Sequence, residues 1–204
     1  MGFVSLGAWG FYQAAPKPTL PFYQGADWTP RWLDPQGTEI HQVADFSLTN
    51  QAGKIVNQKE MAGKIYVASF FFTSCPSVCP NSFANLKKVQ AAFVDDSEVF
   101  ILSHSVQPEV DTVERLSEYA DARAVDLRTW YLLTGDKAQL YQLARQSYFA
   151  DEDLGPAKGP EDFLHSEKLV LVDSHRRLRG VYNATVPIEV RKLIEDIKIL
   201  KREG

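Results

Sequence analysis

A continuous run of β-branched and aromatic residues, KIYVASFFFT at residues 64–73, is the feature that most constrains the fold of this chain. A strand buried on both faces has such an uninterrupted apolar sequence, whereas a half-exposed strand alternates with polar residues. The run therefore predicts a central strand covered on both sides. The only two cysteines, Cys75 and Cys79, follow this strand at once, so we expect the chemistry of the chain at its carboxyl end.

Further strand-like segments are recognised by their composition. VADFSLTNQAGKIV, with a turn at Asn50–Gly53, precedes the central strand, and EVFILSHSV and RTWYLLTG follow it. Near the end of the chain, KLVLVD and RLRGVY flank the basic turn SHRR and predict a hairpin.

Helical periodicity separates these strands. Asp111 has capping-box spacing to Glu114 and, with Pro108, is expected to open the second helix. Asp136 is expected to cap the third helix, and the last helix begins near Pro187. Four apolar stripes give the predicted inner faces of the helices: Phe83, Leu86, Val89 and Phe93; Val113, Leu116 and Ala120; Leu140, Leu143 and Ala144; and Val190, Leu193, Ile194 and Ile197.

The resulting order, β-β-α-β-α-β-α-β-β-α, predicts an α/β fold. Strands that alternate with helices form a largely parallel sheet with helices on both faces, and the closing hairpin adds an antiparallel part. A central mixed sheet flanked by helices, with an N-terminal arm before it, matches the thioredoxin-like plan.

Size and charge narrow the function classes. The chain has 204 residues, 45% of them hydrophobic, which suits one domain with a core that needs no disulfides. Its formal charge of −4 argues against a nucleic-acid binder, because such proteins carry a basic stripe.

The chain begins with an apolar, uncharged segment. Residues 1–15, MGFVSLGAWGFYQAA, resemble a membrane anchor or a signal-peptide remnant, although a basic flank and a full span of about 20 apolar residues are missing. An apolar arm that packs on the domain is the alternative. Residues 16–40 are predicted to be a linker or arm, and the folded domain to occupy residues 41–204.

Cys75 and Cys79 lie where a buried strand meets a helix, the place where α/β sheets form their sites. A helix amino terminus lowers the pKa of a thiol, so thiolate is expected to form more easily here. Residues i and i+4 of a helix have Cβ atoms about 5–6 Å apart, which is loose for a disulfide but suits two sulfur ligands of one metal. Pro76 and Pro80 stiffen the turn. Redox work, metal binding and two ordinary buried cysteines all remain open.

The chain's histidines are the candidates for a third ligand. His165 precedes the strand KLVLVD, a position that lies against the cysteine loop in thioredoxin-like folds, and is the best candidate for a Cys2His set. His104 ends the strand EVFILSHSV and is either a further ligand or a hydrogen-bonded strand-end residue. His175 and His41 are expected to be solvated surface residues. Soft thiolates favour Cu(I) or zinc, and a structural zinc site needs four protein ligands.

Several segments together resemble the Sco/SenC/PrrC family. FFFTSCPSVCP is similar to the family's copper-binding signature, and SHSVQPEVDTVERLSEYA, WYLLTGDKAQLYQLA and FLHSEKLVLVDSHRRLRGVY are similar to its later segments. The resemblance covers roughly residues 40–200. CxxxC alone is a weak signal, but CxxxC with a distant histidine before a closing hairpin is a strong one.

The resemblance implies a thioredoxin-like copper chaperone that helps to load, or reduces the thiols of, the dinuclear copper centre of cytochrome c oxidase. Copper, as Cu(I) or Cu(II), would bind through Cys75, Cys79 and His165, and the two cysteines would also act as a redox-active dithiol. The family implies an exported protein, anchored by its N-terminal segment or periplasmic, at the outer face of the cytoplasmic membrane. Its expected partner is the copper-bearing subunit of the oxidase or another copper or thiol protein.

The sequence departs from the family pattern at two positions. Ser77 occupies a position that is often acidic in the family, and His104 occupies one that is often smaller or apolar. The acidic loop at residues 150–162 is either a solvated surface loop or a lid or docking edge beside His165.

Other functions of the cysteine pair remain open. A thiol–disulfide oxidoreductase would use Cys75 as the attacking and Cys79 as the resolving thiol, with His165 as an aid to proton transfer. Copper is favoured because the spacing is CxxxC rather than CxxC. A redox or copper sensor could use the same pair, whereas a peroxidase is disfavoured because the second thiol is too close. We therefore expect a metallochaperone that also has the groups for thiol–disulfide reduction.

Overall fold

A computed structural model describes residues 18–25, 28–30, 40–76, 78–150 and 166–203 of the chain. The predicted order of elements is confirmed, except that the first strand-like segment forms a two-stranded hairpin. Within the described ranges the elements are β1 (Ser47–Asn50), β2 (Ile55–Asn57), β3 (Ile65–Phe71), α1 (Val78–Ala92), β4 (Val99–Ser105), α2 (Val113–Ala122), β5 (Trp130–Thr134), α3 (Lys137–Gln142), β6 (Lys168–Val172), β7 (Leu178–Asn183) and α4 (Pro187–Glu203).

The predicted turn between β1 and β2 is present. Asn50 Oδ1 accepts from the amides of Ala52 and Lys54, both at 3.0 Å. Gly53 has a φ of 72°, a left-handed conformation that glycine adopts without a steric penalty. The third helix is also capped as predicted, because Asp136 accepts from the Gln139 amide at 2.8 Å.

The strands form one mixed sheet in the order β2-β1-β5-β4-β3-β6-β7. β3, β4 and β5 are parallel neighbours, and antiparallel pairing adds β1 beside β5 and β6 beside β3. β3 is buried along its whole length, as its apolar sequence predicted. The carboxyl ends of β3 and β4 lie side by side, with Phe71 opposite Ser105.

Two hydrophobic cores cover the two faces of the sheet. One contains the inner faces of α1, α2 and α4, packed on residues such as Val67 and Ile101. The other contains α3 and the π-helical turn Leu143–Ser147 that continues it, packed on residues such as Ala68 and Leu102. The predicted helix stripes are buried, with Val113 and Ile194 only partly so.

The described part of the arm packs on the edge strand β7 and on the end of α4. Tyr23 pairs with Leu178 of β7, and the Leu20 amide donates to Glu203 at 2.7 Å. The Arg179 guanidinium lies 4.1 Å from the centre of the Phe22 ring. The anchor predicted at residues 1–15 lies outside the described residues, and no helix in the described ranges has the length and apolar character to cross a membrane.

Candidate metal and thiol centre

The structure brings Cys75 and Cys79 together just beyond the carboxyl end of β3. Cys75 lies in the loop after the strand, where its amide donates to Phe72 O at 3.3 Å. Cys79 lies in the first turn of α1, and its amide donates to Cys75 Sγ at 3.4 Å. Neither cysteine forms a disulfide, and both residues are partly exposed. The predicted strand–helix junction therefore presents two neighbouring sulfur atoms from two different elements.

The two thiols have different surroundings. Cys79 packs against the core formed by α1, α2 and α4, and this burial raises the pKa of its thiol to about 12, with a further contribution from the hydrogen bond to Cys75. The expectation that the helix terminus would ease ionisation is therefore wrong for Cys79. The loss of hydration disfavours its thiolate by more than the helix terminus favours it.

The side chain of Asp111, just before α2, binds both the loop that contains Thr73 and Cys75 (the cysteine loop) and the end of β4. Its fully buried carboxylate accepts from Thr73 Oγ1 at 2.5 Å, from the Thr73 amide at 3.2 Å and from Ser105 Oγ at 2.6 Å. The predicted capping role of Asp111 is wrong. Thr112 caps α2 instead, accepting from the Arg115 amide at 3.3 Å.

A small cavity of about 30 Å³ lies beneath Cys79. Its walls include the hydroxyl-bearing residues Ser69, Ser103 and Ser166. Ser69 and Ser103 are hydrogen-bonded at 2.8 Å, and Trp130 Nε1 donates to Ser103 Oγ at 3.0 Å. Cys79 and the hydrogen-bonded serines of β3 and β4 therefore line one cavity, together with apolar side chains.

The predicted third ligand, His165, lies outside the described residues, as do Ser77 and residues 151–162 of the acidic loop. Among the residues that are described, no group of three His, Cys, Asp or Glu side chains could hold a metal ion. Ser166, which directly follows His165, lines the same cavity as Cys79.

His104 does not belong to the cysteine site. It lies opposite Phe70 in the sheet and packs on the α3 face with Phe70 and Tyr148, whereas Cys79 packs on the α1 face. Its Nδ1 contacts Ser69 O at 3.2 Å, and its fully buried Nε2 has no hydrogen-bond partner among the described residues. The hypothesis of His104 as a further ligand of the cysteine site is therefore wrong, because successive strand residues point to opposite faces.

The two remaining histidines differ from each other. His175 is exposed in the turn after β6, as predicted. His41 is partly buried, with Nε2 at 2.8 Å from Ser147 O and its ring centre 4.7 Å from that of Phe149. The prediction of a solvated surface residue is therefore wrong for His41.

Tyr119 and the surface beside it were missed by the sequence analysis. Tyr119 packs between Phe71 and Phe83, and the Arg123 guanidinium lies 3.5 Å from its ring centre. Burial raises the pKa of Tyr119 to about 12. Helical spacing from Leu116 could have identified this residue. A groove of about 500 Å³ beside the cysteine loop is lined by Thr73, Thr112, Glu114, Arg115, Glu118 and Tyr119.

Comparison with known proteins agrees with this architecture. The SCO1/SenC family model matches residues 35–201. The structure is similar to that of a SCO1/SenC family lipoprotein from Bacillus anthracis, with a TM-score of 0.69 and 29% identity, over 79% of this chain and 95% of that one.

Two further solved structures carry information about function. BsSco is a member of the Sco family of cytochrome c oxidase assembly proteins in which a disulfide switch was identified. It has a TM-score of 0.68 and 26% identity, over 81% of this chain and 96% of that one. Bradyrhizobium japonicum ScoI with copper bound has a TM-score of 0.60 and 28% identity, over 76% and 98% of the two chains. These similarities confirm the predicted thioredoxin-like fold class.

Proposed function

Because this chain belongs to the SCO1/SenC family, we propose that it is a copper-binding protein of cytochrome c oxidase assembly. The observation that carries the proposal is the pairing of the chain's only two cysteines, with the Cys79 amide nitrogen 3.4 Å from Cys75 Sγ. Similar structures support both copper binding and a role in oxidase assembly. ScoI has been solved with copper bound, and BsSco is a member of the Sco family of cytochrome c oxidase assembly proteins.

Cys75, Cys79 and His165 are the proposed copper ligands. Two thiolates and an imidazole form a donor set that suits copper, and Cu(II) would take an additional oxygen or nitrogen ligand. Support for His165 comes from its neighbour Ser166, which lines the cavity beneath Cys79.

Delivery of copper to the dinuclear centre of the oxidase is the role that we propose for this site. Both cysteine residues are partly exposed, which suits a metal that passes to a partner by stepwise exchange of ligands. The Cys79 thiol gives up its proton when it becomes a metal ligand, because only the thiolate coordinates.

Reduction of a disulfide of the partner is the second candidate, favoured by the hydrogen-bonded cysteine pair, which forms no disulfide. The Cys75 thiolate would attack a disulfide of the partner, forming a mixed disulfide and releasing one partner thiolate. Cys79 would then attack Cys75 Sγ, which forms the Cys75–Cys79 disulfide and releases the second partner thiolate. The two electrons gained by the partner come from the Cys75–Cys79 dithiol, which is oxidised to the disulfide in the same step.

The proposed location is the outer face of the cytoplasmic membrane, where the copper-bearing subunit of the oxidase, or another copper or thiol protein, would be the partner. The uncharged, apolar residues 1–15 support export or anchoring, as does the similarity to a protein described as a lipoprotein. Fractionation of cells that produce the full chain tests this location. Recovery in the soluble cytoplasmic fraction alone would contradict it.

Copper titration of the reduced full chain tests the main proposal. We expect one tightly bound Cu(I) per chain in competition with a chromogenic chelator, and a loss of affinity of about tenfold or more in Cys75→Ala, Cys79→Ala and His165→Ala. His175→Ala is the matched control, because His175 is an exposed histidine in the turn after β6. Tight, stoichiometric copper in His165→Ala would overturn the ligand assignment. No uptake by the reduced wild type would overturn the copper function.

Reduction of insulin disulfides distinguishes the two candidate roles. We expect copper uptake with little insulin turnover if delivery is the main role. Rapid turnover without copper uptake would instead establish a thiol–disulfide oxidoreductase.

A further inference from the structure

We propose that Asp111 is a positioning residue of the thiol centre, whose buried carboxylate holds the loop that presents Cys75 against the start of α2. The consequence for copper affinity rests on the proposed function. The hydrogen bonds between the loop and Asp111 do not, and they can be measured without copper.

The donors to Asp111 come from the ends of both central strands. Thr73, two residues before Cys75 and just beyond β3, donates its hydroxyl at 2.5 Å and its amide at 3.2 Å. Ser105, the last residue of β4, donates its hydroxyl at 2.6 Å. An ionised carboxylate makes shorter and stronger hydrogen bonds than a neutral acceptor does. Asp111 therefore fixes the loop relative to two strands and a helix.

The Asp111 carboxylate does not serve as the cap of α2. The cap of α2 is provided by Thr112, so α2 does not require the Asp111 side chain. A fully buried carboxylate such as that of Asp111 loses its hydration, which is strongly unfavourable when no hydrogen-bond donor replaces the lost water. Thr73 and Ser105 supply those donors. If either residue moved away, the buried Asp111 carboxylate would lose a hydrogen bond that replaces its hydration.

Two further contacts hold the same loop. Arg115 Nε donates to Thr73 Oγ1 at 2.6 Å and lies 3.9 Å from Asp111 Oδ1, although its side chain is 47% exposed. The Thr73 hydroxyl thus accepts from Arg115 while it donates to Asp111. Ser74 Oγ adds a weaker bond to Gln107 Oε1 at 3.3 Å.

The relative position of the two sulfur atoms depends on this loop. Cys79 is part of α1 and packs on the core, whereas Cys75 precedes the helix and is placed by the chain that runs from Thr73. A site whose ligands come from separate elements binds tightly only when those elements are held in place beforehand. Loosening Thr73 should therefore weaken copper binding even though no ligand is removed.

Isosteric variants of the full chain test the inference. In Asp111→Asn we expect the Thr73 amide of the copper-free protein to exchange about tenfold faster or more, measured by NMR. We expect a fall of about tenfold in Cu(I) affinity, measured by chelator competition. Thr73→Val should show a smaller loss of affinity, and Thr73→Ser, which keeps the hydroxyl, should restore wild-type affinity.

Asp173→Asn is the matched control. Asp173 is also buried and accepts from the His175 amide and the Arg179 side chain, but it lies beyond the carboxyl end of β6, in the β6–β7 turn. Asp173→Asn should unfold at a lower urea concentration, while the Thr73 amide exchange rate and the Cu(I) affinity stay unchanged. Equal effects of Asp173→Asn and Asp111→Asn on copper affinity would reduce the role of Asp111 to general stability and overturn the inference.

The outcomes separate this inference from the proposed function. Unchanged Thr73 exchange in Asp111→Asn, or faster exchange with unchanged copper affinity, would overturn the positioning role. A wild type that binds no copper would overturn the proposed function, while the exchange rates would still decide whether Asp111 holds the loop. If Asp111→Asn does not fold, Thr73→Val against Thr73→Ser gives the same decision.

Discussion

Cys79 donates its amide hydrogen to the sulfur of Cys75 over 3.4 Å, so a cysteine from the preceding loop accepts a hydrogen bond from the first turn of α1. Amides in the first turn of a helix have no partner within the helix, and here a sulfur atom satisfies one of them. The two cysteines therefore differ. Cys75 faces the amide at the helix terminus, whereas Cys79 packs against the core.

The first prediction concerns the reactivity of Cys79. Because burial raises the pKa of its thiol to about 12, the thiolate is scarce in the folded chain at pH 9, where an ordinary cysteine of pKa 9.0 is half ionised. We expect iodoacetamide to modify Cys79 about 100-fold more slowly in the folded reduced chain than in urea, as measured by peptide mass spectrometry. The folded rate should keep rising between pH 9 and pH 12. Equal rates in the folded and unfolded chain would contradict the assigned burial.

The helical and strand periodicities, and the order of the elements along the chain, could be predicted from the sequence because they depend on local patterns. The apolar run before Cys75 predicted a buried central strand, and helical spacing predicted the inner face that Phe83 and Leu86 present. The junction of β3 with α1 then brought Cys75 and Cys79 together. Predicting these features requires only the residues that are close to one another in the sequence.

Long-range partners were not readable in the same way. The capping pattern assigned Asp111 to Glu114, but Thr73, 38 residues away in the sequence, provides stronger donors for its carboxylate. The face on which His104 lies depends on the register of β4 beside β3. A pattern along one strand does not determine that register.

The second prediction uses the buried imidazole of His104. Burial lowers its pKa from 6.5 to about 4, so the folded chain keeps it neutral while the unfolded chain takes up a proton below pH 6.5. Its contribution to stability is therefore complete above pH 6.5 and is lost as the pH falls towards 4. Relative to His104→Leu, the wild type should lose about 3 kcal/mol of unfolding free energy between pH 7 and pH 4, measured in urea.

The matched control for this pH dependence is His175→Gln, because His175 is exposed. Its stability should follow the wild type at every pH. A wild type and a His104→Leu variant with parallel stability profiles would contradict the neutral, buried state of His104.

The third prediction concerns the attachment of the arm. Arg179 is 3% exposed and joins Asp173 and Glu203 to the arm carbonyls of Leu20 and Pro21. Arg179→Met should destabilise the chain by about 3 kcal/mol, because the partly buried Glu203 loses its cation and the buried Asp173 keeps only Arg177. Urea unfolding measures the loss, and faster proteolysis within residues 18–25 should accompany it.

An exposed pair provides the control for Arg179. Lys198 contacts Glu195 at 2.7 Å on the surface of α4, and Lys198→Ala should change stability by about 0.5 kcal/mol or less. If Arg179→Met were no more destabilising than Lys198→Ala, the arm would not depend on this ion network.

The fourth prediction concerns the hydrogen-bonded serines that line the cavity beneath Cys79. Ser103 Oγ accepts from Trp130 Nε1 at 3.0 Å, so Ser103→Ala leaves a fully buried indole donor without an acceptor. We expect a loss of about 1–3 kcal/mol in unfolding free energy and a changed Trp130 fluorescence spectrum. Ser69→Ala should cost less unfolding free energy, because Trp130 keeps its acceptor.

Ser82 provides the control, because it also lines the cavity but is only partly buried. Ser82→Ala should change the unfolding free energy by no more than about 0.5 kcal/mol. A Ser103→Ala variant as stable as Ser82→Ala would contradict the bond between Ser103 and Trp130.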